Sequence, residues 1–400
     1  MKVGTLAMAI LILLLSGSGC REMEGIEIPT VTSARPPQPT LQPQGSPQSL
    51  FPADTATELQ EMLKDTVKDE RLPGATLYVA TSQGNWMIAE GKANLESGVV
   101  MKPTDRFRIG EITDLFVAVA CLQLVEEGRL KLSDSIVTYL PKEITTQLPN
   151  SDRITIRQLL NHTSGLPDIR TDEFLQAVRS EPTREWTAKE MLGYIYNSEP
   201  AQRRGMFSKS DSNYLLLGLI IETVTGEPLA TGLRQRFYDP LKLSNTFMEV
   251  REPIPGGFTQ GYQDWNNDGK PENVTKPLVN IGLGLGDRGM VSNAPDLVRF
   301  FQALLVEEQL LNPDSLDQML LTYVGDGKGD TYGFGITNVS TRWGEGMGHR
   351  GEVFGFKSAI VYLPVHDLMI VAWMNDGDRH RGNPAEILED SLHIILGEPE

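Results

Sequence analysis

Two carboxylates three residues apart, Glu111 and Asp114, stand at the head of a long apolar run. On a helix that spacing puts them on one face and lets them approach each other. A carboxylate pair can run acid/base hydrolysis when its surroundings push the two proton affinities apart. The same pair can also merely complement the helix dipole from the first turn, contributing about 0.3–1 kcal/mol each. Lys209 and Asp211 form a second charged group, placed to neutralise the first or, for Asp211, to cap a helix over residues 212–225. His349 and Gly351 form a third. A fourth, Asp264, Asn266 and Asp268 followed by Gly269, has the alternating oxygens and the turn glycine that open a calcium loop. Its twelfth position is Thr275 where a bidentate Glu is expected, so an acidic surface turn competes with calcium there.

No lysine in the chain has a serine three residues before it, so a serine activated by a lysine one helical turn away is absent. Thr113 lies between the two acids but points roughly 200° away from the Glu111 direction on a helix of 3.6 residues per turn. His162 follows a Leu-Leu-Asn run and is expected to fix a loop by hydrogen bonding.

The elements that must hold these residues can be read from their periodicity. Residues 54–70 carry apolar positions at helical spacing. Residues 75–81 and 86–90 read as a hairpin around Ser82-Gln83-Gly84-Asn85. Residues 112–127 are apolar nearly all round and close at Gly128, which predicts a buried helix containing Cys121 as a small hydrophobe. Helical runs broken by Pro and Gly fill residues 130–310. Strands at 356–363 and 368–375 and a helix over 385–396 follow. Strands at both ends with a helical middle make an α+β fold, an antiparallel sheet from the N- and C-terminal segments with flanking helices and a mostly helical insertion.

Across 400 residues, 36 Lys and Arg against 53 Asp and Glu give a net charge of −17. Lys2, Arg21 and Arg35 balance Glu22, Glu24 and Glu27, so the whole deficit falls on residues 53–400. Such a body repels a phosphate backbone, and nucleic acid is not an expected partner. The two cysteines exclude a disulfide framework. The N-terminus has a Lys, an apolar stretch from Leu6 to Leu15 and small residues before Cys20. That pattern marks a signal segment over 1–20, too short to span a bilayer. Small residues before a cysteine resemble a bacterial lipoprotein signal, with Cys20 lipidated and the membrane reached through that anchor; plain secretion is the other outcome. A Pro- and Gln-rich tether occupies 21–52 and one domain occupies 53–400.

Longer motifs carry a resemblance. Gly128-Arg129-Leu130-Lys131-Leu132-Ser133-Asp134, Asn161-His162-Thr163-Ser164-Gly165-Leu166-Pro167, Asn213-Tyr214-Leu215-Leu216-Leu217-Gly218, Gly289-Met290-Val291-Ser292 and Gly348-His349-Arg350-Gly351 are similar to the serine β-lactamase-related hydrolases. This is the class C and penicillin-binding-protein-like branch, with its esterases and D-amino-acid peptidases. The resemblance covers roughly residues 54–396. It implies the β-lactamase/transpeptidase-like fold and a covalent mechanism: a Ser at the start of the first buried helix, a Lys one turn on, a Tyr-x-Asn pair, and a His-x-Gly or Lys-Thr-Gly strand. Here Glu111 stands at the nucleophile position, Asp114 at the lysine position, Lys209 at the Tyr position and Asp211 at the Asn position; only His349-x-Gly351 survives.

Two functions follow as expectations. One is a non-catalytic binding or regulatory protein at the cell envelope, its pocket lined by Glu111, Asp114, Lys209, Asp211 and His349. Its ligand would be a small or peptidoglycan-like molecule, needing no cofactor. The carboxylates should favour a cation, an amine or a polyol over the anionic acyl substrates of the family. The other is a hydrolase of esterase, peptidase or glycosidase type using a rewired Glu/Asp/Lys site.

Overall fold

The computed structural model describes residues 50–266, 268–276, 285–321, 324–325 and 331–398. The export segment, Cys20, the tether up to residue 49 and Asn267 of the acidic turn lie outside them.

The expected hairpin is β1 (Gly74–Thr81) and β2 (Gly84–Asn94), extended by the short β3 (Val99–Val100). The C-terminal part supplies β4 (Val324–Gly325), β5 (Thr331–Tyr332), β6 (Thr337–Thr341), β7 (Gly344–Val353), β8 (Phe356–Leu363) and β9 (Leu368–Met374). Together they form one antiparallel sheet in the order β3-β2-β1-β9-β8-β7-β6-β5-β4. The first strand therefore pairs with the last, Ala75 opposite Met374 and Val79 opposite Ile370, and the sheet is built from both ends of the chain.

Alternation decides what each face buries. Leu77, Val79, Val361, Ile370 and Ala372 point to the outer face, where α1 (Ala53–Asp69) and α4 (Pro384–Leu396) cover them. Tyr78, Ile360, Tyr362, Val371 and Trp373 point the other way, onto the core around α2 (Thr113–Glu126). α2 is buried nearly throughout, as an all-round apolar sequence requires, and Cys121 is fully enclosed in it. α3 (Asp211–Thr225) packs beside α2.

The segment between the hairpin and the late strands is not helical throughout. Phe107–Arg108, Phe247–Met248 and Met290–Ser292 pair as a small second sheet. Arg108, wholly buried, holds it through a bidentate bond to Glu249 at 2.7 and 2.9 Å.

Candidate functional site

The start of the buried helix is not regular. Gly110–Ile112 is a single 3₁₀ turn before α2, and Gly110 has φ +56°. A Cβ there would sit 2.6 Å from the backbone N of Glu352 on β7, so only glycine lets the turn come this close. Gly351 answers from the strand: a Cβ on it would lie 2.0 Å from the Ile109 carbonyl oxygen. Two glycines thus press the turn bearing Glu111 against the edge of β7.

Glu111 is 4% exposed, and three donors from three separate parts of the chain converge on its carboxylate. The Glu352 backbone N–H donates to Oε2 at 2.5 Å; the Lys209 ammonium and the Arg288 guanidinium both donate to Oε1, at 2.9 and 2.6 Å. Burial alone would raise this carboxyl, but Arg288 and Lys209 outweigh it and hold Glu111 well below the usual carboxylate range. A strand-edge N–H of this kind is what an acyl-transfer site aims at a developing oxyanion. Here it is already engaged by a resident carboxylate.

Arg288 joins the two motif positions that the chain separates. It also bonds Asp211 through Nη1, and through Nη2 at 3.2 Å. Asp211 is therefore not the cap of α3: it is the first helical residue, the N-cap is Ser210, and the Asp211 carboxylate is turned to Arg288. Asp287, also buried, lies 3.8 Å from Arg288. Burial, then the charge of Asp211, pushes the Asp287 carboxyl well above its usual range despite Arg288. Neither Asp287 nor Arg288 was expected from sequence; their one signal is that they directly precede the matched Gly289-Met290-Val291-Ser292.

Asp114 belongs to a different environment. It is 1% exposed, and neither carboxyl oxygen has a hydrogen-bond partner among the described residues. His162 Nε2 lies 4.0 Å from its Oδ2 and is itself without a hydrogen-bond partner among those residues. His162 does fix its loop: Nδ1 accepts from the Ser210 N–H at 3.3 Å and from Asn213 Nδ2 at 2.8 Å, which leaves the proton on Nε2 facing Asp114. Burial, then Asp287, raises the Asp114 carboxyl well above normal, and Lys209 only partly opposes this. Asp114 does stand in the first turn of α2, but a carboxyl raised in this way complements the helix dipole less than an ordinary aspartate would. Lys209 pairs with Glu111 instead.

His349 lies beside this group, Nδ1 donating to the Arg350 carbonyl at 2.6 Å and Nε2 accepting from the Tyr332 hydroxyl at 3.2 Å. Burial, then Lys209, pushes its imidazole down to about 4, so it is neutral. Thr113 is excluded as a nucleophile by position: its hydroxyl is buried and donates to the Gly110 carbonyl at 2.7 Å.

A cleft of about 630 Å³ opens over the site, with Glu111, Lys209, Gly351, Glu352 and Ser358 in its wall. The carboxylates do not present it with the free negative surface expected from their number. Glu111 and Asp211 are ion-paired and Asp114 is shut away.

The acidic turn is a turn. Asp264 accepts the Asp268 and Gly269 N–H groups at 3.0 and 2.9 Å, Asp268 accepts the Lys270 N–H at 2.9 Å, and Asn266 donates to Glu272. Both Asp264 oxygens and one of Asp268 accept backbone N–H groups, and calcium finds no support there. Among the described residues no cluster of three or more His, Cys, Asp or Glu is placed to hold a metal.

A family model described as Beta-lactamase matches residues 59–392. Protein flp of Staphylococcus aureus (strain N315) is 24% identical over 332 residues, 80% of this chain and 63% of that protein. Putative penicillin-binding protein PbpX of Bacillus subtilis (strain 168) is 25% identical over 306 residues, 70% of this chain and 68% of that one. This chain thus spans somewhat under two thirds of the flp proteins it matches. Among solved structures, a D-stereospecific amidohydrolase from Streptomyces sp. superposes with a TM-score of 0.74 at 26% identity, covering 84% of this chain and 98% of that one. The D-amino acid amidase from Ochrobactrum anthropi SV3, complexed with D-phenylalanine, gives 0.73 at 25% identity, covering 86% and 99%.

Proposed function

Because this chain belongs to the beta-lactamase family, we propose that it is a member without serine acylation, acting at the cell envelope as a binding or regulatory protein. The observation that carries the reading is Glu111. A covalent serine mechanism needs a hydroxyl and a base at its side. The nucleophile position instead holds a carboxylate clamped by Lys209, Arg288 and the Glu352 N–H, and the lysine position holds the buried acid Asp114. A carboxylate with three donors on it and a depressed proton affinity is a weak nucleophile and a weak base. The rival reading, a rewired carboxylate hydrolase, would find its acid in Asp114, but Asp114 is sealed from substrate and no second carboxylate of the group is free to act as base. The envelope location rests on the Lys2, Leu6–Leu15 and Cys20 pattern. The ligand would be a small polar or peptidoglycan-like molecule in the cleft above Glu111, bound without being consumed.

The test is labelling with a fluorescent penicillin and a fluorophosphonate, beside a family member that keeps its Ser and Lys. The control should label and this protein should not. A covalent adduct on this chain sinks the proposal, and the labelled residue would identify the nucleophile.

A further inference from the structure

The donors around Glu111 form a site in their own right. The Glu352 N–H is fixed in β7, Lys209 lies in the segment before α3, and Arg288 sits just before the strand at Met290. These three elements are far apart in sequence, and they place two full positive charges and one backbone dipole around two oxygen atoms. That is the donor set a carboxylate requires, with every donor within 2.9 Å. Arg288 is anchored by Asp211 and Asp287 from behind, so its guanidinium would stay aimed at this point without Glu111. The wall bearing Glu111 faces the 630 Å³ cleft, which gives a small molecule a way in.

We propose that these donors are a carboxylate-binding cradle and that Glu111 is its resident ligand, tethered to the chain. Replacing Glu111 by Ala removes Cγ, Cδ and both Oε atoms, which are the heavy atoms of acetate. Glu111→Ala should therefore become a receptor for a short free monocarboxylate, formate or acetate. The native protein should ignore both, since a tethered carboxylate competes at an effective concentration that no weak free ligand matches. The inference does not depend on the loss of acylation. Labelling tests the latter, and the cradle could be wrong while labelling stays negative.

The experiment is thermal unfolding of the wild type, Glu111→Ala and Glu111→Gln, in sodium acetate, formate or chloride at equal ionic strength. In chloride, Glu111→Ala should melt roughly 3–10 °C below the wild type, because buried Arg288 and half-exposed Lys209 both lose the carboxylate they share. Acetate should raise the melting temperature of Glu111→Ala progressively with the logarithm of its concentration, following a dissociation constant of about 1–30 mM, the range for a four-atom ligand in a preformed site. Glu111→Gln fills the same volume and should not respond, and neither should the wild type. A Glu111→Ala chain that folds only when acetate is present supports the cradle as fully. Equal recovery in chloride overturns the proposal, as does an acetate response in Glu111→Gln or the wild type. So does a Glu111→Ala variant that stays unfolded or unrecovered in acetate, whatever Glu111→Gln does.

Discussion

At the scale of single residues, the site is defined by which groups are charged. His349 is buried beside Lys209, and both burial and that cation hold its imidazole at about 4 against an ordinary 6.5. Between these values the unfolded chain carries the proton and the folded chain does not. The His349 contribution to stability should therefore climb by on the order of 3 kcal/mol as pH rises from about 4 to 6.5 and level off above. His349→Gln keeps an acceptor for the Tyr332 hydroxyl and cannot titrate. Urea midpoints from pH 4.5 to 7.5 should show a flatter slope in this variant, and an unchanged slope would mean that His349 is not held neutral. The resemblance to the family located Glu111, Asp114, Lys209 and Asp211, and the structure joins three of them. It could not locate Arg288, because the Glu111–Arg288 bond spans 177 residues and no local pattern links its ends. Nor could it show that Asp114, three residues from Glu111, is withdrawn toward His162, since a 3₁₀ turn interrupts the helical register that the spacing assumed.

At the scale of elements, the site depends on how closely β7 meets the turn at Gly110. Periodicity did not reveal this strand, nor β3 to β6, and only the resemblance placed His349-x-Gly351 on a strand: Gly344, Gly346, Gly348 and Gly351 interrupt it, and glycine weakens any strand signal. The apolar runs that became β1, β8, β9, α2 and α4 were legible because burial on one face or both leaves a periodic mark. A close backbone approach leaves only glycines, which read as loop. The same approach makes a prediction. Gly351→Ala would place a methyl 2.0 Å from the Ile109 carbonyl oxygen and 2.7 Å from Ser358 Oγ, against an Ile109 backbone that cannot rotate away. It should destabilise by about 2–3 kcal/mol, at the upper end for overpacking, and draw Glu111 off the Glu352 N–H. Gly193→Ala is the matched control: its φ of −54° suits any residue, nothing lies within 4 Å, and it should be neutral or slightly stabilising. Chemical denaturation of the two variants separates the cases, and equal midpoints would refute close approach as the reason for Gly351.

At the scale of the whole molecule, the family's framework carries different residues at its active-site positions. The sheet, its helices and the His349-x-Gly351 strand persist while Glu111 and Asp114 stand where a Ser and a Lys are expected, because the core needs only shape and periodicity and the reaction needs specific atoms. The closure of the sheet explains why the framework is held as one piece. β1 comes from the start of the domain and β9 from its end, they are paired along their length, and α1 and α4 lie together across them. α4 buries Ile387, Leu388 and Leu392 against Leu59 and Leu63 of α1 and the outer face of the sheet. At about 1.5–3 kcal/mol for each fully buried side chain, those three contribute roughly 5–9 kcal/mol. That is comparable to the entire net stability of a typical domain, about 5–15 kcal/mol. Ending the chain at Asn383 should therefore unfold all of it rather than free one edge. Amide protection in α2, on the opposite face, should be lost together with the near-UV circular dichroism of the ordered aromatics. A truncated chain that keeps both would show that α4 is a detachable cover and that the two ends of the sheet hold together without it.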